Sequence, residues 1–257
     1  MKFEDMINTI QLGDCYELIK NIPDKSIDLV YVDIPYLYDK GGEVSKDKSA
    51  VSQRIARVRN NYLKNISSGI DYSILDEFCR VLKHIYIYIW CSKEQILDLM
   101  NYFIKEKNCR YNLLTWNKTN PTPATDGTYL PDIEYCLVFK GAGSPKYNDG
   151  YELKSKWYVS PINKKDKDLY KHPTIKPLDL VERHILHSTN ENDIVLDCFC
   201  GSGTTCVAAK ETGRRFIGME IDPEYHKIAV NRLNGITADG QLSLFTDISL
   251  LGDDNGN

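Results

Sequence analysis

Short β-rich runs alternate with amphipathic helical patterns along most of this chain, and that alternation limits what it can fold into. Strand candidates are Thr9–Leu12, Ile27–Val32, Ile85–Trp90, Tyr111–Trp116, Ile133–Phe139, Ile194–Leu196 and Phe216–Met219. Helical patterns fall at Cys15–Asn21, Tyr72–Leu82, Lys93–Lys105, Pro177–Ser188, Thr204–Thr212 and Pro223–Leu233. Such alternation predicts an α/β fold: a doubly wound, mostly parallel sheet with helices on both faces. Asp179 and Ser202 read as helix starts, Gly213 and Gly235 as stops.

At 257 residues, 42% of them hydrophobic, the chain can bury one large α/β core. Three stretches break the rhythm: Tyr38–Ser68 is polar and basic, Asn117–Pro131 is rich in Pro, Thr and Gly, and Gly141–His172 is rich in Lys and Tyr. Long irregular segments inside an α/β domain read as functional loops. Beyond Ile236 the chain turns polar, the composition of a disordered tail. The expected organisation is one domain over 1–235 with loops inserted at about 38–68 and 141–172, then a tail over 236–257. No apolar run is long enough to span a bilayer, so a soluble cytoplasmic protein is expected. The eight cysteines lie mostly in apolar segments and read as reduced and buried. Cys198, Cys200 and Cys206 lack paired C-x₂-C spacing and a fourth ligand, so no metal is expected.

Net charge is −4, against binding nucleic acid by overall charge, yet the distribution is uneven. Lys40 to Lys64 holds seven basic residues against two acids, and Lys146 to Lys176 holds eight lysines against four acids. Arg54, Arg57 and Arg59, with Lys164, Lys165 and Lys167, are the candidates for phosphate contact. A solvated loop explains either stretch equally well.

Two segments carry chemistry. Ile194-Val195-Leu196-Asp197-Cys198-Phe199-Cys200-Gly201-Ser202-Gly203-Thr204-Thr205 reads as a buried strand entering a glycine turn and then a helix. About twenty residues on, Arg215–Glu220 is a second strand ending in an acid placed to accept from ribose hydroxyls. The turn lacks the full glycine pattern of a pyrophosphate binder and the Gly-Lys-Ser/Thr of a triphosphate binder. A cofactor with a ribose but no phosphate fits, and S-adenosylmethionine is one. The other segment is Asp33-Ile34-Pro35-Tyr36, delivered at the carboxyl end of a strand. Pro35 stiffens the turn. An exocyclic amine is a poor nucleophile, and hydrogen bonds to the Asp33 carboxylate and the Ile34 carbonyl would localise its lone pair. Tyr36 can stack on an extruded base.

Asp33-Ile34-Pro35-Tyr36 resembles the Asp-Pro-Pro-Tyr motif of the DNA amino-methyltransferases, and Asp197–Gly203 resembles their Phe-x-Gly-x-Gly cofactor motif. The tetrapeptide precedes the cofactor loop, as in the permuted β group of that family. The similarity runs from about Ile10 to Asn234 and includes Gly13-Asp14, Trp116-Asn117-Lys118 and His172-Pro173-Thr174-Ile175-Lys176-Pro177. The resemblance implies a class I, Rossmann-like methyltransferase fold and S-adenosylmethionine as cofactor. It implies Asp14 on the cofactor adenine, Glu220 on the ribose, and Thr174 with Lys176 at the methionine carboxylate. Asp197, Phe199, Gly201 and Gly203 would form the cofactor loop. Ile34 departs from the family's usual proline and should lower the rigidity of the turn.

These readings point to adenine-N6 methylation of double-stranded DNA by base flipping, by a monomer or homodimer. Cytosine N4 is the alternative target, since the chemistry is the same and Asp33 only tilts the balance toward adenine. An inactive DNA-binding module of the same fold is the alternative of another class. Cytosine-C5 methylation needs a cysteine nucleophile after proline, and none of the ten prolines is followed by cysteine. A glutamine-directed protein methyltransferase would carry its cofactor loop first. In the tail, Gln241-Leu242-Ser243-Leu244-Phe245 is similar to the peptide by which bacterial replication proteins dock on the sliding clamp.

Overall fold

Strand β2, Leu29–Asp33, is enclosed over its first four residues because side chains of both parities find cover. Val30 and Val32 join one apolar cluster, Leu29 and Tyr31 another on the opposite face of the sheet. The computed structural model describes residues 1–37, 69–121, 129–145, 150–162, 168–170, 175–237 and 240. Within these, the other strands are β1 Thr9–Leu12, β3 Tyr86–Cys91, β4 Arg110–Lys118, β5 Ile133–Lys140, β6 Trp157–Ser160, β7 Ile194–Asp197 and β8 Arg215–Glu220. Helices are α1 Phe3–Met6, α2 Cys15–Leu18, α3 Ile74–Val81, α4 Ile96–Met100, α5 Leu178–Ser188, α6 Thr204–Glu211 and α7 Pro223–Leu233.

The strands form one sheet in the order β1-β8-β7-β2-β3-β5-β4-β6. The expected doubly wound α/β sheet is therefore present. Parallel pairing runs from β1 across to β3, and β5 enters antiparallel between β3 and β4. One face packs Phe78 of α3 and Phe103 against Ile87, Ile89 and Phe139. The other packs Val181 and Ile185 of α5 and Ala208 and Ala209 of α6 against Tyr31, Tyr88 and Val195. Truncating Phe78, fully buried, to alanine would cost about 3–5 kcal/mol.

β6 falls inside a stretch whose sequence shows no period. It is a parallel edge strand beside β4, with Trp157 and Val159 exposed, so no buried stripe marks it. β4 extends to Lys118, beyond the expected Trp116, because antiparallel partners on β5 continue to Asn117↔Ile133. The pattern at Lys93–Lys105 resolves into a 3₁₀ turn, α4 and a π-helical turn. α5 is capped at Pro177 rather than Asp179, and α6 starts after Gly203 rather than Ser202. Gly213 and Gly235, both at positive φ, follow α6 and α7 as expected of stop signals. No helix among the described residues is long and apolar enough to cross a membrane.

β7 and β2 are neighbours in the sheet, but their successors leave in opposite directions, β7 to β8 and β2 to β3. Parallel α/β sheets open a crevice at such a divergence, beyond the carboxyl ends of the strands. Asp197 closes β7 and Asp33 closes β2 there.

Candidate active site

A cavity of about 750 Å³ occupies this crevice, a volume suited to a small-molecule site. The tetrapeptide Asp33-Ile34-Pro35-Tyr36 and the cofactor-loop residues Asp197, Phe199 and Gly201 all line it. Two motifs more than 150 positions apart in the chain therefore share one space.

On the cofactor side, Gly201 and Gly203 have φ of 48° and 76°, left-handed values that cost side-chain-bearing residues about 1–2 kcal/mol. A β-carbon on Gly203 would lie 3.0 Å from that of Ala229 on α7, so this glycine shapes the loop by admitting α7 rather than by lining the cavity. Gly201 N–H donates to Glu220 Oε2 at 2.8 Å, and Asp222 N–H donates to Oε1 at 2.9 Å. The Glu220 carboxylate is thereby fixed at the end of β8; burial raises its pKa although these backbone donors oppose the shift. Asp14 caps α2, accepting from Tyr16 N–H at 2.9 Å, and lines the same cavity. Asp197 is buried and accepts from Phe199 N–H at 3.0 Å; burial pushes its carboxyl up to about 7. A residue that sequence reasoning missed is Arg232, buried on α7, whose Nη1 donates to Thr204 Oγ1 at 2.7 Å and clamps the start of α6.

On the catalytic side, Ile34 N–H donates to the Trp90 carbonyl at 3.2 Å, and its side chain is buried. A proline at this position could not make that bond. Stiffness lost by the departure from proline is returned by the β2–β3 ladder and by Gln95, whose Nε2 donates to the Pro35 carbonyl at 3.0 Å. Ser92 adds a bond from Oγ to the Leu37 carbonyl at 2.8 Å. Sequence reasoning missed both supports, which come from a turn after β3.

Lys176 stands on this side too. Its Nζ donates to Asp33 Oδ2 at 2.5 Å and to Tyr36 OH at 3.3 Å, and lies 2.9 Å from Glu134 Oε2. Glu134 Oε1 in turn lies 2.6 Å from Lys118 Nζ. The contacts of Lys176 are thus with the tetrapeptide, where the resemblance implied the methionine carboxylate. Glu134 was not singled out from sequence; the only signal is a charged residue on a face of β5 whose next two members, Cys136 and Val138, are core. Asp33 Oδ1 is shielded and has no hydrogen-bond donor among the described residues. Burial raises the Asp33 pKa, opposed by Lys176 and reinforced by Glu134; one ammonium shared between two carboxylates does not outweigh burial. At Glu134 burial also pushes up, but Lys176 and Lys118 together outweigh it and hold the carboxyl at about 2.

The cavity is lined by the carboxylates of Asp14, Asp33, Glu134, Asp197, Glu220 and Asp222 against the ammoniums of Lys118 and Lys176. That excess of negative charge suits a cationic cofactor, and the fixed Glu220 suits a ribose, so these residues fit S-adenosylmethionine. Thr174 lies outside the described residues, as do Arg54, Arg57, Arg59, Lys164, Lys165, Lys167 and the peptide Gln241–Phe245. Among the described residues the cysteines are free, and no group of three or more His, Cys, Asp or Glu side chains could hold a metal ion.

Comparison with known proteins agrees with this geometry. The model of the N6/N4 DNA methylase family matches residues 27–231. The chain is 32% identical over 239 residues to type II methyltransferase M2.LlaDCHI of Lactococcus lactis subsp. cremoris, covering 86% of this chain and 87% of that protein. It is 32% identical over 238 residues to type II methyltransferase M2.DpnII of Streptococcus pneumoniae, with the same coverage. The crystal structure of the M1.HpyAVI–SAM complex superposes with a TM-score of 0.64 at 27% identity, covering 88% of this chain and 98% of that one. The cytosine-N4-specific PvuII DNA methyltransferase shares the fold, with a TM-score of 0.65 at 19% identity over 87% and 85% of the two chains. With its tetrapeptide and cofactor loop meeting in one crevice, this chain belongs to the N6/N4 DNA methylase family and is an S-adenosylmethionine-dependent DNA methyltransferase.

Proposed function

We propose that the methyl group goes to N6 of adenine in double-stranded DNA, with the target base turned out of the helix into the cavity. The observation that carries this reading is Asp33: a carboxylate at the end of β2, on the cavity wall, with accepting capacity left over once Lys176 has taken Oδ2. A buried acceptor left without a donor costs about 1–3 kcal/mol, which an incoming N–H relieves. When bound, S-adenosylmethionine supplies a methyl group already activated on a sulfonium. The chain's own residues do the rest: Asp33 and the Ile34 carbonyl accept hydrogen bonds from the two N–H groups of the amine and localise its lone pair. Tyr36, half-buried and held by its hydroxyl beside Lys176, offers a ring for stacking. Asp14 and Glu220 hold the adenosine end of the cofactor, and Thr174 is assigned to its methionine end.

Adenine is favoured over cytosine because its larger ring gains more from stacking on Tyr36. The experiment is to incubate unmodified DNA with enzyme and labelled cofactor, digest to nucleosides and identify the labelled species by mass. N6-methyladenine is expected. N4-methylcytosine alone overturns the target, and cofactor and DNA binding without any labelled nucleoside would mark an inactive binding module.

The enzyme is read as soluble and cytoplasmic, with the stretches around 38–68 and 141–172 facing DNA. Arg54, Arg57, Arg59, Lys164, Lys165 and Lys167 are assigned to phosphates; neutralising either group should flatten the salt dependence of duplex binding, by about 0.9 in log–log slope per lost contact. Gln241–Phe245 is assigned to a sliding clamp, whose preformed pocket would take the Leu and Phe side chains. A tail peptide that fails to bind a clamp at high micromolar concentration ends that assignment.

A further inference from the structure

Lys118, Glu134, Lys176 and Asp33 form a chain of alternating charge running from β4 through β5 and the segment before α5 to the end of β2, with successive N···O separations of 2.6, 2.9 and 2.5 Å. Opposite charges balance along it, two positive against two negative. If Glu134 were absent, Lys176 would face Asp33 alone, with the positive Lys118 next to it. The ammonium would then press onto the one carboxylate left to it, weakening Asp33 as an acceptor for any further donor. If Lys176 were absent, two half-buried carboxylates would be left without the ammonium between them.

We propose that Glu134 is a positioning residue for methyl transfer: by sharing Lys176 with Asp33, it lets the ammonium fix the orientation of the catalytic carboxylate without exhausting its strength as an acceptor for the target amine. The proposal rests on the reading of Asp33 as that acceptor. It assigns Lys176 to the same task, held in place over the rings of Trp90 and Tyr36 at 5.1 and 5.6 Å.

The groups that act electrostatically on Asp33 come from several elements. Lys176, Glu134 and Tyr36 do so most directly. Tyr31 on β2, Cys91 on β3 and Cys136 on β5 also face it, but burial keeps the phenol and both thiols protonated at working pH. Asp197 at the end of β7 is the remaining group that titrates near neutrality, and it touches neither Lys176 nor Glu134, so it cannot produce opposite shifts when those two are changed.

The test is a carboxyl-carbon NMR titration of protein labelled at aspartate, with Asp33 assigned by Asp33→Asn, alongside single-turnover rates across pH and cofactor titrations. Glu134→Gln should lower the Asp33 pKa by about one unit and slow transfer roughly tenfold, with cofactor affinity within about threefold of the parent. Lys176→Met should move the Asp33 titration the opposite way, upward by about one unit or more, and carry the acid limb of the rate with it. Asp33 titrations that do not move, or that move in the same direction in both variants, overturn the proposal. Should Lys176→Met fail to fold, the direction of the shift in the near-isosteric Glu134→Gln decides alone. Asp33→Asn that still transfers methyl groups refutes the underlying reading of Asp33, and is seen separately from the titrations.

Discussion

Lys176 Nζ sits 2.5 Å from Asp33 Oδ2, joining residues 143 positions apart. The pair sets the carboxylate on the cavity wall while the glycine loop of the cofactor side is built independently, from β7, α6 and α7. Asp33→Ala should therefore reduce transfer by about a thousandfold or more while cofactor affinity changes little. Isothermal titration with cofactor, set beside a transfer assay, checks this; equal loss of both would place Asp33 with the cofactor instead.

Tyr36→Ala should slow turnover by an amount equivalent to about 1–3 kcal/mol of lost base stacking, with a much smaller effect on cofactor binding. Tyr36→Phe keeps the ring and removes the hydroxyl that lies 3.3 Å from Lys176, so it should retain most of the activity. Steady-state kinetics on a duplex substrate distinguish the two; a phenylalanine variant as slow as the alanine one would show that the hydroxyl, not the ring, matters.

Gly203→Ala forces a side chain onto φ of 76° and against Ala229. A loss of about 2 kcal/mol is expected, which for a chain of this size lowers the melting temperature by several degrees, together with weaker cofactor binding. Thermal unfolding with and without cofactor measures both, and an unchanged melting temperature would contradict the packing described.

Two buried groups pull the pH dependence of stability in opposite directions. His184 is enclosed among Tyr31, Tyr88 and Trp90, and burial holds its imidazole down at about 3. Between that value and the ordinary 6.5 the unfolded chain binds the extra proton, so this residue lowers stability as pH falls through the window. Asp197, pushed up to about 7 from 3.8, does the reverse: between those values the folded chain holds the proton, so its contribution fades as pH rises. The slopes, each about 1.4 kcal/mol per pH unit, largely cancel between pH 4 and 6. Denaturant unfolding should show His184→Asn becoming more stable toward pH 4 relative to pH 6, and Asp197→Asn less stable. Parallel curves for the two variants would refute the assignment.

Strands buried on both faces, such as β2 and β7, are the plainest in the sequence, because continuous apolar runs leave little choice. β6 escapes notice because an edge strand with Trp157 and Val159 exposed lacks that signature. The site divides in the same way. Asp33, Glu220 and the loop glycines are legible because each lies within a local pattern of strand, turn and helix. Glu134 is not, and Lys118, named only within a family-like segment, gives no sign of its link to Asp33, since both reach it through the antiparallel insertion of β5 between β3 and β4, a pairing that no local pattern encodes. Ile34 read as a loss of rigidity; the hydrogen bond to Trp90 that offsets it comes from a neighbouring strand.

The pairing of β1 with β8 also governs how the protein is made. Thr9 lies beside Ile217, and Asn8 receives a hydrogen bond from Phe216, 208 positions later. On the ribosome β1 must therefore wait until its partner, 208 positions on, emerges. Contacts of such long sequence separation form slowly and leave apolar surface uncovered meanwhile. Nascent chains arrested before residue 215 should hold the catalytic strands and the glycine loop but lack β8 with Glu220, making the interval before β8 emerges the one in which chaperone engagement and aggregation compete for this enzyme.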